Sequence, residues 1–114
     1  MKIEETMVGD VVVVTIDGDI TIGERGATRL ADKIRSLLHQ GRDRILLDLG
    51  HVRYVDSAGL GELVQCFTAA RTRGAALKLL NVNRRLNDLL IVTKLLTVFD
   101  CFELDTDAIA SFSR

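Results

Sequence analysis

The 114-residue sequence has no proline and no tryptophan, and it contains only two cysteines and two histidines. Because it also lacks a low-complexity run, nothing marks a linker, and its length predicts a single domain over residues 1–114. With only five aromatic residues, the core must be aliphatic. A net charge of −1 gives no support to direct nucleic-acid binding, and 47% hydrophobic residues are too many for a disordered chain.

The cysteines and the apolar runs predict the compartment. Cys66 and Cys101 fit no metal or redox spacing, so we expect free thiols, which are typical of a reducing environment. The charged start of the chain, residues 1–6, does not resemble a secretion signal. No apolar stretch approaches the length of a membrane span. The sequence therefore predicts a cytoplasmic protein that does not insert into a membrane.

Hydrophobic periodicity alternates between strand and helix along the chain. Helical stripes of apolar residues begin near Ala27, Leu60 and Leu86, and a fourth helix is expected after a cap at Asp105. The continuous apolar run Val11-Val12-Val13-Val14 predicts a strand covered on both faces. Strands are predicted at residues 2–7, 11–16, 44–49, 76–82 and about 100–103. This order predicts an α/β sandwich with a mixed four- or five-stranded sheet, an N-terminal antiparallel hairpin and about four helices.

A serine at a strand-to-helix junction is the most informative functional signal. The apolar residues 45–47 lead through Asp48-Leu49 to Asp56-Ser57-Ala58-Gly59-Leu60-Gly61, where a helix is expected to start. Serine is a good N-cap, and the free amides of a helix start favour an anionic oxygen such as that of phosphate. Glycine costs about 1 kcal/mol relative to alanine in a helix. Gly59 and Gly61 therefore indicate a close approach, either by the sheet beneath the helix or by a partner.

Enzymatic alternatives for Ser57 fail on spacing. A hydrolase elbow requires a glycine two residues earlier, where this chain has Val55, and neither His39 nor His51 follows Ser57 as that elbow requires. The chain has no phosphate-binding loop motif, and its isolated histidines and cysteines form no ligand cluster. We predict a non-enzyme with no cofactor and no metal. A purely structural alternative remains, in which Ser57 only caps its helix and Asp56 is a solvated turn residue.

The junction resembles the signature of the STAS domain family, in the form found in bacterial anti-sigma factor antagonists. The match comprises Asp48-Leu49 and the six residues 56–61. Gly18-Asp19-Ile20-Thr21 lies where the family usually has a Gly-Glu-Leu-Asp-like turn, with Thr21 in place of the acidic residue. Residues 74–82 are similar to the family's fourth strand, and residues 95–112 to its closing strand and helix. Lys94 stands where a glycine before leucine is common.

The resemblance implies a regulatory function. In this family the unmodified protein binds an anti-sigma factor that is also a GHKL-type serine kinase, which frees a sigma factor. The kinase phosphorylates the signature serine, here Ser57, and the modified protein no longer binds the anti-sigma factor. A serine phosphatase is expected to reverse this modification. The alternative is a STAS scaffold subunit of a stress-signalling or lipid-transport complex. The implied partner-binding residues are Asp19, Thr21, Asp56, Ser57, Ala58, Gly59, Leu60 and Gly61.

Overall fold

The structure is a computed structural model that describes residues 2–21 and 26–113. The side chains of residues 26–28 lie outside the described part, including that of Ala27, the predicted first residue of a helical stripe. The elements in chain order are β1 (Lys2–Val8), β2 (Val11–Asp17), α1 (Gly26–His39), β3 (Arg44–His51), α2 (Ser57–Thr72), β4 (Ala76–Leu80), α3 (Arg84–Val92), β5 (Cys101–Phe102) and α4 (Asp105–Ser111).

The five strands form one mixed sheet in the order β1-β2-β3-β4-β5. β1 and β2 pair as an antiparallel hairpin, and every other neighbouring pair is parallel. Parallel neighbours require a crossover connection, which is why a helix follows each of β2, β3 and β4. The predicted mixed sheet, its N-terminal hairpin and its four helices are confirmed.

Two mainly aliphatic clusters lie on opposite faces of the sheet. The larger cluster includes Leu30 of α1, Leu63 of α2 and Leu90 of α3, all packed beneath the sheet with no exposed surface. The smaller cluster holds α4 on the other face and comprises Val11, Leu46, Leu80, Ala108 and Phe112. Helices on both faces of a mostly parallel sheet produce the expected sandwich.

β2 is an interior strand next to the central β3, but the prediction that it is covered on both faces was wrong in part. Val12, Val14 and Ile16 point to the three long helices and are fully buried. Val13 and Thr15 alternate to the other face and are only half-buried, because α4 covers only part of that face. Val14 is therefore a better position than Val13 for a substitution that disrupts the core.

The predicted caps of the last two helices differ in outcome. Asn83 caps α3 as expected, since its side-chain oxygen accepts a hydrogen bond from the Leu86 amide at 2.8 Å. The predicted cap of α4 was wrong: Leu104 is the N-cap and makes no side-chain cap bond. Asp105 lies inside the first turn, where a carboxylate is favoured by the helix dipole.

Both cysteines are free thiols, as predicted. Cys66 lies on the buried face of α2 and is 3% exposed. Burial, with a smaller contribution from the Glu62 carboxylate, raises the pKa of the Cys66 thiol to about 12, and burial also raises the pKa of Cys101. A thiol with a raised pKa is a weak nucleophile, so Cys66 acts as a small apolar core residue.

None of the helices in residues 2–21 and 26–113 has the length and apolar character that crossing a membrane would require.

Candidate functional site

The start of α2 carries the signature serine, but Asp56 is the cap. Asp56 has an extended backbone, and its carboxylate accepts a hydrogen bond from the Gly59 amide at 2.6 Å. Ser57 is the first helical residue, and its side chain is exposed. The interpretation of Ser57 as an N-cap and of Asp56 as a solvated turn residue was therefore wrong. Because Asp56 caps the helix, Ser57 is not needed for that role.

The segment after β2 is bonded directly to the residues that precede Ser57. Ile20 forms an isolated parallel bridge with Val55. Its amide donates to the Tyr54 carbonyl at 3.0 Å, and its carbonyl accepts from the Asp56 amide at 3.3 Å. The Ile20 side chain is fully buried, which fixes the segment against the core. Its half-buried neighbours Asp19 and Thr21 are thereby held close in the chain to this bridge beside the start of α2.

The two signature glycines face different surroundings. A Cβ atom at Gly59 would lie 2.1 Å from the Ile20 carbonyl oxygen and 3.1 Å from Val55 Cγ1. Contact with the chain's own backbone therefore accounts for Gly59, which is buried. A Cβ atom at Gly61 would meet nothing within 4 Å, and Gly61 is exposed. The sequence left open whether these glycines allow close packing within the protein or close approach by a partner. Packing within the protein explains Gly59 but not Gly61.

The other predicted contact residues divide between surface and core. Leu60 is 7% exposed and belongs to the large aliphatic cluster, in agreement with its place in the helical stripe. Ala58 is half-buried, as is Asp56. Within the predicted set, the freely accessible positions are therefore Ser57 and Gly61, flanked by the half-buried residues of both segments.

A groove between the start of α2 and α3 contains residues that the sequence analysis missed. We call it the Ser57 groove; its volume is about 510 Å³. Val92 of α3 lines it with 78% of its surface exposed, and the preceding residue Ile91 is also 52% exposed. The apolar run that continues past the helical stripe of α3 was the available signal. The groove is lined by Arg53, Tyr54, Val55, Asp56, Ser57, Asn83, Arg85, Leu86, Asp88, Leu89 and Val92.

The groove exposes the Ser57 hydroxyl, and the titratable groups that line it are two carboxylates, one phenol and two guanidinium groups. Its lining within the described part of the chain includes no histidine, cysteine or lysine. His51 lines a separate cavity with Asp48 and Glu103 at the carboxyl ends of the strands. The described residues also contain no group of three or more histidine, cysteine or acidic side chains that could hold a metal ion. The histidine base that usually activates a catalytic serine is therefore not among the described residues that line the groove.

Comparison with known proteins places the fold and the junction in one family. Residues 3–100 match the family model described as "Mlab, STAS domain". The chain belongs to the STAS domain family. One curated relative is the anti-sigma-B factor antagonist of Bacillus subtilis (strain 168), which is 37% identical over 87 residues. That alignment covers 76% of this chain and 77% of the relative.

Solved structures of similar proteins share the fold. An anti-sigma factor antagonist from Mycobacterium paratuberculosis superposes with a TM-score of 0.86 at 18% identity, covering 99% of this chain and 94% of that chain. The phosphorylated form of the Bacillus cell fate determinant SpoIIAA superposes with a TM-score of 0.76 at 18% identity, covering 97% and 99%. The STAS fold expected from the sequence is confirmed.

Proposed function

We propose that the protein is an anti-sigma factor antagonist of the cytoplasm. It binds an anti-sigma factor that is also a GHKL-type serine kinase while Ser57 is unmodified, and this releases a sigma factor. Phosphorylation of Ser57 by the same kinase ends the binding, and a serine phosphatase restores it. The protein itself has no catalytic role in the proposal, uses no cofactor, and does not contact nucleic acid.

One observation carries the proposal: Ser57 is exposed at the start of α2 without being needed as its cap. A kinase must reach the hydroxyl, and a residue with a structural task could not be modified freely. Asp56 performs the capping, so Ser57 is available. The proposed contact surface comprises this junction and the adjoining segment with Asp19 and Thr21. The antagonist named among the relatives supports the same function.

Charge provides the physical basis of the proposed switch. The γ-phosphoryl group of ATP passes to Ser57 Oγ, ADP leaves, and the hydroxyl proton is taken by a base of the kinase. The new phosphate carries about −1.5 to −2 charges at neutral pH. On an exposed helix start it leaves the fold intact, whereas at a docking surface beside Asp56 it adds repulsion and desolvation. A loss of about 3 kcal/mol would weaken binding roughly a hundredfold.

Intact mass measurement after incubation with the candidate kinase and ATP tests the proposal. The wild-type protein should gain one phosphate, and Ser57→Ala should gain none. Thr68→Ala is the matched control, because Thr68 is an exposed hydroxyl residue on the same helix, and this variant should be phosphorylated like the wild type. Phosphate on Thr68 or Thr21 instead of Ser57 would overturn the proposal. A protein that stays bound to a larger assembly and is never modified would support the alternative scaffold function.

A further inference from the structure

Two arginines share the Ser57 groove with the serine. Arg53 precedes the signature on the β3–α2 connection, and Arg85 lies in the first turn of α3. Both are exposed, and within residues 2–21 and 26–113 neither side chain takes part in an ion pair. The Arg85 guanidinium lies over the Tyr54 ring, 6.0 Å from its centroid. The groove is therefore lined by Ser57 and by two arginines that form no ion pair with any carboxylate in the described part of the chain.

A phosphate on Ser57 would be a stronger partner for these groups than those they have. Guanidinium forms two parallel hydrogen bonds to phosphate oxygens, and such charge-assisted bonds exceed an exposed cation–π contact in strength. The same groove also contains the carboxylates of Asp56 and Asp88 and the phenol of Tyr54. The carboxylates repel a phosphate dianion. The attraction of two guanidinium groups therefore has to outweigh this repulsion for the phosphate to be held in the groove.

We propose that Arg85, assisted by Arg53, binds the phosphate of phosphorylated Ser57 within the same chain. Arg85 leaves the Tyr54 ring in the process, and the side-chain arrangement between α2 and α3 changes. The inference rests on the proposed function, and it names the residues that accommodate the modified state. It also gives phosphorylation a second consequence beyond added charge, because a partner that contacts Arg85 or the covered face of Tyr54 meets an altered surface.

Phosphoserine incorporated at position 57 during translation allows a test that needs no kinase. Phosphorus-31 NMR titration gives the second pKa of the phosphate, which is about 6 when unperturbed. We expect Arg85→Gln to raise this pKa by roughly half a unit or more, because a nearby cation is lost, and Arg53→Gln to raise it less. Arg84→Gln is the matched control: Arg84 adjoins Arg85 but lines a different cavity with Asn87 and Glu103, so the pKa should not change.

Tyrosine emission provides a second readout. Tyr54 is the only tyrosine, and the chain has no tryptophan, so emission from the native protein reports on this ring. Phosphate at position 57 should change the emission in the wild type and leave it unchanged in Arg85→Gln, where the contact is already absent. Equal phosphate pKa values in Arg85→Gln and Arg84→Gln, or an emission change that persists in Arg85→Gln, would overturn the inference. Failure of the kinase to modify Ser57 would overturn only the proposed function, because these measurements do not use the kinase.

Discussion

At the start of α2, the cap and the proposed phosphorylation site are adjacent residues with separable energetic effects. Asp56→Ala removes the hydrogen bond to the Gly59 amide and should lower the free energy of unfolding by about 1 kcal/mol. Asp56→Asn keeps a capping oxygen and should remain close to the wild type. Ser57→Ala should change stability by less than about 0.5 kcal/mol, as expected for an exposed residue outside the cap. Urea denaturation measures all three, and a larger loss for Ser57→Ala than for Asp56→Ala would contradict this assignment.

Gly59 and Gly61 offer a matched pair of alanine substitutions two positions apart. Gly59→Ala places a methyl group 2.1 Å from the Ile20 carbonyl oxygen, a backbone atom, so the bridge to Val55 must shift. We expect a loss of about 2 kcal/mol or more in the free energy of unfolding, as is typical of overpacking. Gly61→Ala has open space and should be neutral or stabilising by up to about 1 kcal/mol.

Two measurements on the alanine variants distinguish a role in packing from a role in partner binding: the free energy of unfolding, by heat or urea, and the affinity for the kinase. If Gly61→Ala folds normally and still loses affinity for the kinase, Gly61 is a point of close approach by the partner. Equal destabilisation by both substitutions would contradict the different environments of the two glycines.

Lys94, the residue after the C-cap of α3, has a strained left-handed backbone with a φ of +62°. The Lys94 amide donates to the Ile91 carbonyl, and the Leu95 amide donates to the Leu90 carbonyl, so Lys94 occupies the position that usually favours glycine. Lys94→Gly should therefore raise the free energy of unfolding by about 0.5–1 kcal/mol. Thr93→Gly, at the preceding right-handed residue, should lower it. A stability decrease in Lys94→Gly, measured by urea denaturation, would contradict this interpretation.

The elements that could be predicted from the sequence are those whose pattern is local. Apolar periodicity located all five strands and four helices, and the departure at Lys94 coincided with a backbone position that suits glycine. The cap of α2 could not be predicted, since Asp56 and Ser57 are both good caps and only the backbone geometry chooses between them. The Ser57 groove also escaped prediction, because it depends on how α3 packs beside the start of α2.

The prediction of core residues was also limited, because burial depends on how distant elements pack. The run of four valines in β2 indicated a buried strand, and Val12 and Val14 are fully buried. How much of the second face is covered depends on the length and position of α4, which no local pattern specifies.

For the molecule as a whole, the buried thiol of Cys66 predicts a loss of stability at high pH. An unfolded cysteine has a pKa near 9.0, and burial raises the folded pKa to about 12. Between these values the unfolded chain has lost the thiol proton and the folded protein retains it, so stability falls as pH rises through this range. The full contribution is on the order of a few kcal/mol. Cys66→Ala should show a shallower decline in the free energy of unfolding from pH 9 to 12.

The comparison for Cys66 uses slopes because the alanine variant also leaves a small cavity and starts from a lower stability. Cys101→Ala is the control, since Cys101 is only half-buried, and it should keep most of the decline. Parallel curves for the wild type and Cys66→Ala would show that this thiol does not contribute to the pH dependence.

The central claim is that one phosphate on Ser57 switches partner binding while the domain stays folded. Calorimetric titration of the candidate anti-sigma factor kinase with unmodified protein, with protein carrying phosphoserine at position 57, and with Ser57→Ala tests it most directly. We expect the unmodified protein and Ser57→Ala to bind with similar affinity, and the phosphorylated protein to bind at least about a hundredfold more weakly with an unchanged circular dichroism spectrum. Equal affinity of the unmodified and phosphorylated forms would contradict the account.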